Sequence, residues 1–160
     1  MRPELRLPPQ AAEGEAARPV VLDTNIVLDL LLFADPAVAA VRELLETRRL
    51  GWVATQPMRD ELEHVLRYAH LQPRMQYYGV TAPQILAAFD AASRLVDVAT
   101  RAPYACKDGD DQKFIDLAAA HRAILVSKDK AVLCMRKRLL RLDVQAVSTI
   151  VFDESAACAG

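Results

Sequence analysis

The chain has 160 residues, 52% hydrophobic and 26% charged, a composition that excludes a collagen-like, low-complexity or wholly disordered protein. Its 20 Lys and Arg against 21 Asp and Glu leave a net charge of −1, so the general basic footprint of a duplex-gripping protein is missing and any hold on nucleic acid must be local. Three cysteines, Cys106, Cys134 and Cys158, form no CxxC pair; this argues against a disulfide framework or a zinc site and fits a reducing cytoplasm. The apolar runs fall far short of the ~20 residues that span a bilayer. The start of the chain, rich in Arg and Pro, lacks the apolar stretch of a signal peptide. The expectation is a cytoplasmic protein with no membrane partner.

Residues 1–18, rich in Pro, Ala and Glu without a period, are expected to be a flexible tail. The domain is placed at 19–150, with 151–160 as a C-terminal tail in whose neighbourhood TIVFDE offers a small edge element. PVVLD (19–23) reads as a buried strand, 24–33 as an apolar helix, and 37–48 as a helix opened by Asp35-Pro36. GWVAT (51–55) is a second strand. A helix over 56–69 follows, capped by Thr55 and ended by Pro73; another is capped by Thr81. LVDV (95–98) is a third strand, 100–109 a loop, 110–121 a helix, 123–126 a fourth strand, and a helix starts near Asp129. Residues 143–147 give a fifth strand. Short apolar strands alternating with helices predict an α/β fold, a parallel sheet of about five strands covered on both faces.

In such sheets ligands sit at the carboxyl ends of the strands, near the switch in strand order. Asp23-Thr24-Asn25 follows the first strand, Ser127-Lys128-Asp129 follows the fourth, and Asp110-Asp111 opens the helix between. On the helix at 56–69, ~100° per residue puts Glu61 at the margin of the apolar stripe and turns Asp60 and Glu63 away. The same geometry turns Asp110 and Asp111 inward and Asp116 outward. Taken alone, Asp23, Asp111 and Asp129 are ordinary helix caps and Glu61 a surface residue. Together, Asp23, Glu61, Asp111 and Asp129 would repel one another unless hard divalent cations share them. Mg²⁺ or Mn²⁺ suits such an oxygen-ligand set, and the chemistry is metal-assisted hydrolysis of a phosphodiester.

Three stretches, VVLDTNIVLDLL, ATQPMRDELEHVL and CKDGDDQKFIDLAAAHRAILVSKDKAVL, resemble the successive motifs of PIN-domain proteins. The nearest branch is the one found as toxins of bacterial toxin–antitoxin systems, and the likeness covers residues 19–150. It implies a three-layer α/β/α fold and a Mg²⁺- or Mn²⁺-dependent endoribonuclease, with an RNA substrate, an antitoxin protein as inhibitor and a homodimer as expected partners. Asp23, Glu61, Asp111 and Asp129 match the family's acids; Thr24, Asn25 and Ser127 match the polar residues that orient them, and Asp110 is an auxiliary acid. Where the branch often has Asp-Pro-Asp-Asp this chain has Asp108-Gly109-Asp110-Asp111, and Gly frees that loop.

Other readings stand beside this one: a catalytically inactive PIN-like interaction module, or a Mg²⁺-dependent nuclease acting on DNA. Arg136, Lys137, Arg138 and Arg141 form a basic run. It is either a solvated helix face or an RNA-binding patch beside the metal edge, which Arg67 and Arg74 would extend. Tyr77 and Tyr78 are candidates for stacking bases, and Trp52 is assigned to the core. His64, His70 and His121 have no metal-ligand partners in sequence. GxSxG, GxxxxGK[ST] and GxGxxG are all absent, so neither a serine hydrolase nor a nucleotide cofactor is expected.

Overall fold

The computed structural model describes residues 3–153. Cys158 and the stretch 154–160 lie outside the described residues.

The expected tail contains a strand. β1 (Glu4–Leu7) pairs in parallel with a strand at the other end of the chain, Thr149–Phe152, in register Glu4↔Thr149 to Leu7↔Phe152. Its residues alternate in burial, with Leu5 inward and Glu4 and Arg6 outward. That is the period-2 signature of a half-buried strand; the prolines at 3, 8 and 9 obscured it in the sequence. Side-chain and main-chain bonds tie the segment down: the Ser148 amide donates to the Pro3 carbonyl (2.8 Å) and Arg49 Nη1 to the Pro8 carbonyl (2.7 Å). Leu5→Ala is therefore expected to lower stability by ~2 kcal/mol, the lower end of the range for a buried leucine. Chemical denaturation measures this, and an unchanged midpoint would return residues 4–7 to a tail.

The main sheet has five strands, all parallel. β2 (Arg18–Leu22) is central, β3 (Leu50–Ala54) and β4 (Ser93–Leu95) lie to one side, and β5 (Ile124–Val126) and β6 (Gln145–Val147) to the other, in the order β4-β3-β2-β5-β6. The strand at Thr149–Phe152, β7, belongs to the two-stranded sheet with β1. Chain travel runs outward from β2 to β4, then returns to β5 and continues to β6. With right-handed crossovers this reversal puts the later helices on the opposite face from the earlier ones. The first group is α1 (Thr24–Leu31), α2 (Ala39–Glu46), α3 (Gln56–Val65), α4 (Gln72–Tyr78) and α5 (Ala82–Ala92). The second is α6 (Gln112–His121), α7 (Lys130–Leu133) and α8 (Arg136–Leu139). The result is the three-layer α/β/α arrangement expected. Val20, Val21 and Leu125 are fully buried in the sheet, with Leu44, Phe89 and Trp52 on one side and Ile115, Leu117 and Leu139 on the other contributing to one continuous core.

Three boundaries differ from the sequence reading. α3 stops at Val65 rather than near 69, and Pro73 is in the first turn of α4 rather than a helix breaker; proline's fixed φ favours a helix start. β4 lies at Ser93–Leu95, not 95–98. It is an edge strand; its Leu95, and Val98 beyond it, are exposed, while Val96 packs partly against the core. Asp116 does not face solvent freely: its carboxylate accepts from the Ala102 amide and from Gln112 Nε2, both 2.8 Å. Thr81 caps α5 as the sequence predicts, and Gln84 completes a capping box with it.

Candidate metal centre

The reversal in strand order falls between β2 and β5, and the candidate acids gather beyond the carboxyl ends of those two strands. The Asp23 amide donates to the Val126 carbonyl (3.0 Å), which locks the two strand ends together. Asp23 stands at the N-cap of α1 in extended conformation, yet its side chain does not cap the helix. Instead Oδ2 accepts the Ser127 hydroxyl at 2.7 Å in a buried contact. Ser127 is fully buried, and its Oγ also accepts the Asp129 amide at 3.1 Å. One hydroxyl thus fixes the end of β2 against the turn after β5. Asp129 does cap its helix, accepting from the Ala131 amide at 2.8 Å.

Asp111 is reached through a short helical turn, Gly109–Asp111, that leads into α6. Gln112 clasps the preceding loop: its Oε1 accepts the Cys106 amide (2.6 Å), and its Nε2 donates to the Tyr104 carbonyl (3.1 Å). The clasp explains how a long loop delivers an acid to a fixed place. Asp111 is 7% exposed, and its Oδ2 has no hydrogen-bond donor. Oxygens of Asp108, Asp111 and Asp129 all lie within 4.8 Å of one another. Three carboxylates converging on one point, one of them with a buried oxygen that no protein group satisfies, match the donor set of a hard divalent cation.

The electrostatics agree. Burial pushes the Asp111 carboxyl up from 3.8 to about 8, helped by the facing Asp129 carboxyl and by the charges of Asp23, Asp129 and Asp108. Burial also raises Asp23; the bonds from Ser127 and the Thr24 backbone oppose the rise, and the charges of Asp129 and Glu61 add to it. Asp23, Asp111 and Asp129 thus act on one another at this edge, while Glu61 acts on Asp23 and stands back from the tightest group. Its Oε2 accepts the Thr24 hydroxyl at 2.5 Å, and its Oε1 pairs with Lys113 Nζ at 3.1 Å. α3, which carries Glu61, is held to α5 by a two-pronged Arg59–Asp90 pair at 2.7 and 2.9 Å.

Several placements differ from the sequence assignments. Asp108, not Asp110, completes the close oxygen set; Asp110 is exposed, and its backbone carbonyl accepts from Lys113 Nζ (2.6 Å). Gly109 has an ordinary φ and open space where a Cβ would sit, so the loop is shaped by Gln112 rather than by glycine freedom. Asn25 is exposed on the wall of a cleft beside the centre. Arg136, Lys137 and Arg138 are exposed on α8. Arg141 lines a different recess with Arg122 and Asp143, where α6 ends and the chain approaches β6, at the opposite end of the sheet from the acids. The basic run leads away from the centre because α7 and α8 carry the chain back to the start of β6. The cations that do stand at the acidic edge are Lys113 and Lys128, the latter paired with buried Asp29 at 2.5 Å. Sequence reasoning missed them. Their signal was positional: Lys128 lies between Ser127 and Asp129, and Lys113 is two residues after Asp111.

Comparison with known proteins adds two findings. The sequence profile of the PIN domain matches residues 19–131. An uncharacterised protein of Methanocaldococcus jannaschii is 25% identical over 121 residues, covering 73% of this chain and 74% of its own length. Among the described residues no single helix is long and apolar enough to cross a membrane.

Proposed function

From the premise that the chain belongs to the PIN-domain family, whose members are generally nucleases that use divalent metals, we propose that it is a Mg²⁺- or Mn²⁺-dependent endoribonuclease. The observation that carries this reading is the orphaned, buried Asp111 oxygen facing Asp108 and Asp129 at the switch point of the sheet. Asp111, Asp129 and Asp108 would hold the cation, with Asp23 joining them from the end of β2. When bound, the cation would polarise a phosphodiester and supply an activated water at neutral pH.

The chain's own groups do the rest. Ser127 keeps the Asp23 carboxylate aimed by donating to one of its oxygens, leaving the other oxygen for the ligand. Thr24 donates to one Glu61 oxygen, and Lys113 takes the other. Lys113 neutralises Glu61 and supplies a positive charge beside an edge that otherwise repels phosphate. The RNA preference rests on the likeness to the ribonuclease branch of the family, and the antitoxin partner on the same likeness.

The experiment is a cleavage assay on matched single-stranded RNA and DNA, with Mn²⁺ and then with excess EDTA. Expected are RNA fragments with the metal present and none after chelation. Cleavage that survives chelation would remove the metal from the reaction, and cleavage of DNA alone would replace the substrate.

A further inference from the structure

Beside the metal centre is an open cleft of about 570 Å³ that the proposed cleavage chemistry leaves unused. Asn25 and Lys128 belong to both: each lines the cleft, one two residues from Asp23 and the other next to Asp129. The far wall is made by the end of α1 and by α4, which supply Phe33, Arg74 and Tyr78. We infer that this cleft is a nucleotide subsite, which holds the base and phosphate next to the bond being cut. The inference rests on the ribonuclease reading for its substrate class.

The wall chemistry fits a nucleotide in both its parts. Tyr78 is 47% exposed and stands edge-on to Phe33, with ring centroids 6.2 Å apart. The Arg74 guanidinium lies 5.3 Å from the centre of the Phe33 ring, which holds it in place and covers that ring. The open aromatic surface is therefore that of Tyr78, and a planar base stacks on such a face whatever its sequence. Arg74 has no ion-pair partner among the described residues, so its charge is available to a phosphate. Lys128 is held at the opposite wall by Asp29, which is 7% exposed, and an ammonium bound once keeps further donors free. A site of this volume is within the ~300–1,000 Å³ of small-ligand clefts. The lining also includes Asp29 and Asp35, so its charges balance, and Arg74 on the far wall is the cation left to hold a phosphate against the repulsion of the acidic edge.

The test is binding of a fluorescently labelled, single-stranded hexaribonucleotide by anisotropy in EDTA, so that no cleavage occurs and no cation bridges the RNA to the acids. Tyr78→Ala is expected to weaken binding roughly 10-fold, and Tyr78→Phe to restore it. Arg74→Ala is expected to weaken binding and to reduce the slope of log affinity against log salt by about 0.7, one phosphate contact on a single strand. Mn²⁺ titration calorimetry on the same variants should match wild type. Unchanged affinity in both alanine variants would overturn the subsite, as would an unaltered salt slope in Arg74→Ala or a loss of Mn²⁺ binding alongside RNA binding. Wild type that binds the oligonucleotide through Tyr78 and Arg74 but cuts nothing with Mn²⁺ would leave the subsite standing and remove the nuclease reading. Wild type that cuts RNA with unaltered kcat and KM in both alanine variants would do the reverse.

Discussion

Asp23→Asn is expected to abolish Mn²⁺ binding and RNA cleavage together while the metal-free protein melts at the same or a higher temperature. Asp23 is 5% exposed, and its carboxyl is pushed up by burial and by neighbouring acids. The charge is therefore a liability to the metal-free fold and useful only to a cation. Asparagine has the same shape and can still accept the Ser127 hydroxyl through its amide oxygen, so β2 and β5 stay joined. Loss of a group that merely orients a ligand costs ~10–100-fold in metal affinity, and loss of a ligand charge should cost at least the upper end of that. Calorimetry, thermal melts and the cleavage assay read the three parts separately. Wild-type Mn²⁺ affinity in the variant would take Asp23 out of the ligand set.

Asp111→Asn should separate the two proteins as pH rises and bring them closer when Mn²⁺ is added. In the metal-free fold the Asp111 carboxyl keeps its proton up to about pH 8, whereas the unfolded chain releases it near 3.8. Between those values the folded state binds more protons, so this group makes stability fall as pH rises through the window. Asparagine stays neutral throughout. Without metal, the variant should therefore gain stability over wild type as pH goes from 5 to 8. With Mn²⁺ at pH 8 the gap should narrow, because only wild type gains the binding energy, ~2.7 kcal/mol at a hundred times the dissociation constant. The metal must also displace that proton, so wild-type Mn²⁺ affinity should climb with pH until about 8. Parallel melting curves for the two proteins, with and without Mn²⁺, would show that Asp111 neither carries the proton nor meets the cation.

The sheet and the approximate positions of its strands were legible because each strand is a short apolar run with turn residues after it, and a parallel sheet buries both faces. Asp23 and Asp129 were legible for the same reason: position after a strand is a one-dimensional property. Asp111 was named from helix geometry and the family motif, but the Gln112 clasp that sets its loop has no local signal. Asp108, which the same loop brings to the oxygen set, was passed over, and Asp110 was named as an auxiliary acid. The cations were harder still. A run such as 136–141 stands out in sequence, yet α7 and α8 turn it away from the centre. Lys113 and Lys128 stand singly and gain meaning only from the acids they meet across the fold. β1 failed for a different reason: a four-residue strand whose partner lies at the other end of the chain has almost no local signal.

That pairing bears on the order in which the molecule assembles. β1 is made before β7, so the two-stranded sheet cannot close until every segment between the two has been synthesised. Everything that builds the acidic centre, through Asp129, precedes β7 in synthesis. Contacts of such long sequence separation tend to form after the folding nucleus, since the loop must be closed before the pairing can reward it. A defect there should then act on the rate of opening rather than of folding. In stopped-flow experiments Leu5→Ala should steepen the loss of the native state while the refolding limb stays with wild type. The strand pair would thus act as a latch on the lifetime of a domain whose core has already formed.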